Sequence, residues 1–389
     1  MKRPVVEIRQ GLDAVRALEP EWKALGRRSG CPPFLYWEWA DSWLRHLEPR
    51  QEPRIVCARD EGALVGLMPL AETRTKVPGL GTIARLGFLG ERKGGADYLD
   101  VLAAPADRER ATRAILEHLA EAGGVDLLEF DGLAEDSPTV DAIRACFRDR
   151  GEFSIRESVL YTCPQVALHG GFGQVLSRSS RADNFRRRLR KAKAMAGFEH
   201  RTCRTEAETE GAYERFLDLH QRRWAAQGGS DALGRPANRI FHREVVASLA
   251  KAGVLHFDEL WLEGDCRASI YGMDTPGVFY FFQSGYDPAW ASSSVGLVLL
   301  GLSIEAAVAR GALVYDFLHG MEPYKLEWAT GRRRTVRLRV TRAGWGAAMW
   351  LAREAAEAMA REAARSILPP AAVDRLRRRR RAREHAGTA

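Results

Sequence analysis

A chain of 389 residues, 46% hydrophobic and 28% charged, has the balance of a globular protein and the length of two domains. It has no apolar run of about 18 residues to span a bilayer and no apolar segment behind the basic pair of MKRPVVEIRQ to act as a signal peptide; its six cysteines, Cys31, Cys57, Cys146, Cys163, Cys203 and Cys266, lie far apart without a CxxC pair, so zinc and a disulfide framework are both argued against and a reducing cytoplasm fits. The net charge of +8 is uneven: residues 178–204 hold ten Arg or Lys against two acids, residues 366–389 hold seven Arg against two acids, and the rest is mildly acidic.

In chain order, PPFLYWEWADSWL (32–44) places Trp39 and Trp43 at i, i+4, the pattern of a helix seating one face in a core. Tyr36 and Trp37 are the residues of that stretch that would line a groove for a sugar or a long acyl chain. Residues 54–74 read as strand, Asp-Glu-Gly turn, strand. A third strand is expected at DYLDVL (97–102), preceded by a Gly-rich piece, 78–95. Residues 115–132 read as helix, Gly turn, strand. The Gly-rich CPQVALHGGFG (163–173) marks a boundary. SRADNFRRRLRKAK (180–193) is a basic helix with a thin apolar stripe of Phe185, Leu189 and Ala192. Its local field suits an anionic acceptor, with Arg187 and Arg190 as the contacting residues.

The second half repeats the order. Residues 255–275 form a hairpin, 278–286 a third strand, and 303–320 a helix, Gly turn and strand. With one gap, Glu117 matches Glu305, Gly123 matches Gly311, Phe130 matches Phe317 and Gly132 matches Gly320. Such a repeat argues for two similar domains. Residues 344–368 form an apolar-striped helix stopped by Pro369-Pro370, followed by an Arg-rich tail, 375–383, that is either solvated or in contact with anionic lipid.

Two segments carry chemistry. In ASSSVGLVLL a serine precedes an apolar helix; the free N–H groups of its first turn can receive a phosphate, and Gly296 lets a ligand approach. In YDFLHGMEPYKLEW (315–328) a strand ends beside Asp316, His319, Glu322, Tyr324 and Lys325. A phenol there can protonate a departing thiolate, and a carboxylate or histidine can take a proton from an amine or hydroxyl. Lys325, one of only eight lysines, can hold an anion as a point charge. The structural alternative is that Asp316 serves a backbone turn, Tyr324 packs, and His319 is structural.

The order of elements, with SRADNFRRRLRKAK, GYDPAWASSSVGLVLLGLSIEAAVARG (285–311) and YDFLHGMEPYKLEW, resembles the GNAT-type acyltransferases, in particular their tandem-domain CelD/BcsL-like branch, relatives of the FemAB aminoacyltransferases. The resemblance covers nearly all of 30–330. It implies an α/β (α+β) fold of two tandem GNAT-like domains, 1–165 and 166–342, each with a mixed, mostly antiparallel sheet flanked by helices, and a helix with a basic tail over 343–389. It implies acyl-CoA, with acetyl-CoA first, as co-substrate and no metal. The pyrophosphate would rest on Ser293, Ser294, Val295 and Gly296, with Ser284 and Gly285 beside the pantetheine arm. SSSVG stands where single-domain members carry an Arg/Gln-x-x-Gly-x-Gly/Ala fingerprint. Tyr324 would be the general acid, Asp316 or Glu322 the base, and Lys325 and His319 would meet the acceptor. The first domain would be degenerate and shape the acceptor groove. Three functions follow: acyl transfer from CoA to an envelope or exopolysaccharide precursor, an aminoacyl-tRNA-dependent transferase, and a non-catalytic scaffold.

Overall fold

The structure, a computed structural model, describes residues 2–46, 51–77, 81–91, 94–225 and 233–342, with scattered positions from 344 to 363. The first half runs β1 (Val5–Gln10), α1 (Leu12–Arg16), α2 (Glu19–Ser29), α3 (Trp37–Arg45), β2 (Gln51–Asp60), β3 (Ala63–Val77), β4 (Gly81–Phe88), β5 (Leu102–Ala103), α4 (Arg108–Glu121), β6 (Leu127–Ala134), α5 (Pro138–Arg148) and β7 (Phe153–Ala167). The second runs α6 (Gly171–Arg178), α7 (Ala182–Lys193), β8 (Glu199–Cys203), α8 (Glu206–Ala225), α9 (Pro236–Lys251), β9 (Leu255–Leu262), β10 (Asp265–Thr275), β11 (Val278–Tyr286), α10 (Val295–Ala309), β12 (Val314–Asp316), α11 (Pro323–Leu326) and β13 (Gly331–Arg342).

The strands form one mixed, mostly antiparallel sheet in the order β1-β2-β3-β4-β6-β13-β7-β12-β11-β10-β9-β8, with β5 paired to β3. The halves are stitched together. β13, the last strand among the described residues, lies between β6 and β7, antiparallel to both. The end of β7 then pairs with β12 through Gln165, Val166 and Ala167.

The expected third strand of the first half is corrected by the structure. It is β4, inside the Gly-rich piece, and it pairs in parallel with β6. Residues 97–101 are irregular. Buried Asp97 and Asp100 take part in side-chain bonding there, and the glycines on either side of β4 hid its short apolar run.

Two cores flank the sheet. One joins the first half to α8 and α9, with Trp39 against Phe241 and Phe282. The other lies under α10. That helix is apolar on nearly every side, which suits burial, and Phe185 of α7 packs where Gly301 has no side chain: a Cβ there would come within 2.1 Å of the ring. The described positions Ala348, Met349, Leu351, Ala352, Ala355, Ala356, Met359 and Ala363 of the expected C-terminal segment are helical; the rest of that segment and the Arg-rich tail lie outside the described residues.

Candidate active site

The site begins where two parallel strands part. Val278, Phe279 and Tyr280 of β11 face Val314, Tyr315 and Asp316 of β12. β12 then stops. Leu318 takes a positive φ of 55° and its N–H donates to Asp316 Oδ1 at 2.7 Å, a side-chain-closed turn. β11 continues past it through residues 281–286, still paired with β10 on its other side. A bulge sits here: Tyr271 faces Gln283 and Gly272 faces Phe281, leaving Phe282 as the extra residue.

The opened wedge holds two cavities. The first, about 320 Å³, is bounded by Ser284, Gly285 and Tyr286 of β11, Ser294, Val295 and Gly296 at the start of α10, and Arg181 and Asn184 at the start of α7. Ser294 occupies the N-cap position in the left-handed region (φ 57°), and its side chain makes no capping bond. The first-turn amides of α10 thus lack a side-chain cap, at the cost of a non-glycine residue in a sparsely populated conformation. Arg188 of α7 donates to the Ser292 carbonyl at 2.7 Å and braces this turn. The second cavity, about 260 Å³, lies between the halves. The first half gives it Glu91, Asp131 and Tyr161, and the second gives it His319, Glu322 and Lys325. Phe281 and Tyr324 line both cavities.

Residues 179–326 match the model of an acetyltransferase (GNAT) domain. Among solved structures, FemX is similar over 81% of this chain and 95% of its own, at 12% identity and a TM-score of 0.56. A conserved protein of unknown function from Bacteroides thetaiotaomicron is similar over 84% and 97%, at 12% identity and 0.52. The C-terminal domain of a candidate lysylphosphatidylglycerol synthetase from Agrobacterium fabrum is similar over 83% and 91%, at 10% identity and 0.50. No curated protein matches. The second half of the chain carries a GNAT-type acyltransferase domain. The chain's fold is similar to that of FemX over both halves.

Five residues singled out for the donor, Ser284, Gly285, Ser294, Val295 and Gly296, line the first cavity. Ser293 does not; it ends the 3-10 turn Pro288–Ser293. The missing side chain of Gly285 serves packing, since a Cβ would lie 2.4 Å from the His220 backbone nitrogen. That of Gly296 does not, because the nearest atom beyond its immediate chain neighbours would be Tyr286 Cδ1 at 3.5 Å.

Tyr324 stands between the cavities. Burial pushes its phenol well above the ordinary value, Glu322 adds to this, and Arg223 and Ser284 oppose it. Arg223, at the end of α8, donates to Ser284 Oγ at 2.8 Å and lies 5.7 Å from the Tyr324 ring centroid. Nothing in the sequence distinguishes it among 51 arginines.

Asp316 lines neither cavity. Its Oδ2 accepts from Tyr98 Oη at 2.8 Å and Gln165 Nε2 at 2.7 Å, and both donors come from the first half. Burial raises its pKa to about 6, against these hydrogen bonds. The base expected there is instead a turn-closing carboxylate with no opening toward a substrate. Glu322 lines the second cavity, 3.0 Å from Lys325 Nζ. Lys325 is buried and also donates to the His319 carbonyl at 3.0 Å, bracing the loop after β12. His319 Nδ1 lies 2.7 Å from Asp97 Oδ2, a partner from the first half.

Four expected contacts fall elsewhere. Trp37 is buried edge-on to Trp22 with centroids 5.5 Å apart, and Tyr36, half-buried on the same core, lines neither cavity. The first half spends these aromatics on packing. Arg187 and Arg190 are exposed on α7, away from both linings. The residues of that helix and its cap that reach a cavity are Arg181 and Asn184, and the cavity is the one beside α10.

Proposed function

We propose that this GNAT-type enzyme transfers an acyl group from acyl-CoA, acetyl-CoA first, to an amine or hydroxyl of a cell-envelope or exopolysaccharide-related acceptor. The observation that carries the reading is the shared wall of Phe281 and Tyr324 between a cavity headed by uncapped helix amides and a second, more polar cavity. Val295, Gly296 and Leu297 would hold the pyrophosphate through their N–H groups, with Arg181, paired to Glu327 on the same wall, beside them. The thioester would lie at Phe281. Tyr324, kept protonated, would donate to the departing thiolate while the acceptor attacks from the second cavity. Lys325 would meet an anionic group of the acceptor, through the donor capacity left beyond its bonds to Glu322 and the His319 carbonyl. The envelope assignment draws on FemX and on the lysylphosphatidylglycerol synthetase domain as similar folds.

Among the described residues no helix is long and apolar enough to cross a membrane. The proposed place of action is the cytoplasm, with peripheral membrane contact through the Arg-rich tail.

Acetyl-CoA should raise the unfolding midpoint in proportion to the logarithm of its concentration. No shift at millimolar acetyl-CoA or CoA would refute the donor assignment. An aminoacyl-tRNA donor is the second reading, favoured by the exposed Arg186, Arg187, Arg190, Lys191 and Lys193 of α7, a helix whose first turn alone reaches the first cavity. A gel shift with charged tRNA that weakens steeply with salt would select it.

A further inference from the structure

We propose that the base of this site is His319, held by Asp97 from the other half, so that neither half carries a complete catalytic centre. The inference rests on the acyl-transfer reading above and assigns the proton acceptor that reading requires.

Asp97 is 1% exposed. Its Oδ2 meets both the His319 backbone N–H, at 3.1 Å, and Nδ1, at 2.7 Å. These two bonds from one residue to one oxygen fix the position and rotation of the ring. Tyr161, also from the first half, stacks on the ring with centroids 4.8 Å apart. With Nδ1–H donated to Asp97, Nε2 carries the lone pair. Among the described residues no protein group bonds Nε2, and the side chain is 41% exposed on the wall of the second cavity. Asp316, by contrast, has both oxygens engaged behind the wall, and Glu322 is tied to Lys325.

The groups facing His319 are Asp97, Lys325 and Glu322, with Asp316 beyond Asp97. Burial opposes the imidazolium, Asp97 outweighs it, and the net direction is upward. In the reaction, the acceptor nitrogen or oxygen forms a bond to the thioester carbonyl carbon and passes its proton to His319 Nε2. The carbon–sulfur bond breaks and the thiolate takes the Tyr324 proton. Solvent returns the proton from His319 to Tyr324, so the enzyme is unchanged and the products are the acylated acceptor and CoA.

Two measurements on the full chain test this. In the first, imidazole titrations are followed by NMR, with His319 assigned by His319→Gln. Asp97→Asn should lower the His319 pKa by about one unit or more; an unmoved titration overturns the dyad. This arm needs no donor. In the second, acetyl-CoA turnover is followed with ethanolamine, which offers both an amine and a hydroxyl. His319→Gln should lower kcat about 100-fold or more at unchanged KM for acetyl-CoA. Asp97→Asn should shift the acid limb of the pH–rate profile downward, and Asp97→Glu should restore part of the rate. Wild-type kcat and pH profile in His319→Gln would overturn the base assignment. A wild-type protein that neither binds nor turns over acetyl-CoA defeats the donor reading, and the titration then decides the dyad by itself.

Discussion

Each half of the sheet holds a parallel ladder of three residue pairs that ends on a buried carboxylate. In the first half Gly87 of β4 faces Glu129 of β6; in the second Tyr280 of β11 faces Asp316 of β12. The surroundings differ. Glu129 accepts from Arg85 at 2.5 Å and from Arg339 at 3.0 Å, with Arg337 beside it, and Arg85 also pairs with Glu91. Among the described residues Asp316 has only neutral donors: Tyr98, Gln165 and the Leu318 amide. Charged side chains thus occupy the space beyond the ladder in the first half. The same space in the second is left to the two cavities. At the matching helix starts neither α4 nor α10 has a side-chain cap; Arg110 in the first turn of α4 is bound by Asp107 and Asp60, whereas the first turn of α10 lines the first cavity. One architecture supports a wedge held shut by ion pairs and a wedge held open by a bulge and a short strand.

The comparison can be broken at five points. Tyr324→Phe removes the proton donor of the open wedge and should lower kcat about 10²- to 10⁴-fold, with the unfolding midpoint nearly unchanged; full turnover of acetyl-CoA in this variant would remove Tyr324 from the chemistry. Arg85→Met takes one counter-charge from Glu91 and Glu129 in the closed wedge. It should cost about 3–5 kcal/mol in urea unfolding, and a loss below about 1 kcal/mol would show that the ion pairs do not hold that wedge.

Asp316→Asn tests the neutral surroundings. A carboxyl raised from 3.8 to about 6 binds its proton more tightly in the folded state. Its ionisation therefore removes stability as pH rises through that window, by about 3 kcal/mol above pH 6, and acidification toward pH 4 recovers it. The stability of the wild type relative to the variant should fall over that range, and parallel curves would contradict the assignment. Gly296→Val fills space that the protein leaves free. It should weaken acetyl-CoA binding about tenfold by calorimetry with little loss of stability. Gly87→Ala, whose new carbon meets Arg85 and Glu91 side chains, should leave acetyl-CoA binding unaltered.

Much of the open wedge was legible because its signals are local. The turn before α10, the glycine at its second position and the cluster after β12 lie within single short stretches of sequence. The partners that give those residues their chemistry were not. Asp97 and Tyr98 stand more than two hundred residues from His319 and Asp316, and irregular backbone at 97–101 read as a strand because Tyr98, Leu99, Val101 and Leu102 make it apolar and partly aromatic. Tyr36 and Trp37 read as groove residues because an aromatic pair carries no mark of which surface it meets; the packing of Trp22 decided that.

By itself, then, the sequence determined two similar successions of strands and helices, the apolar α10 with a serine at its start, and the polar cluster that follows β12. Periodicity and turn chemistry act over a few residues and need no distant partner. Only the tertiary structure decided that β13 joins the first half's sheet, that Arg223 reaches Tyr324, and that Asp97 meets His319. Strand insertion and ion pairing depend on which surfaces the folded chain brings together, and no local pattern encodes that meeting.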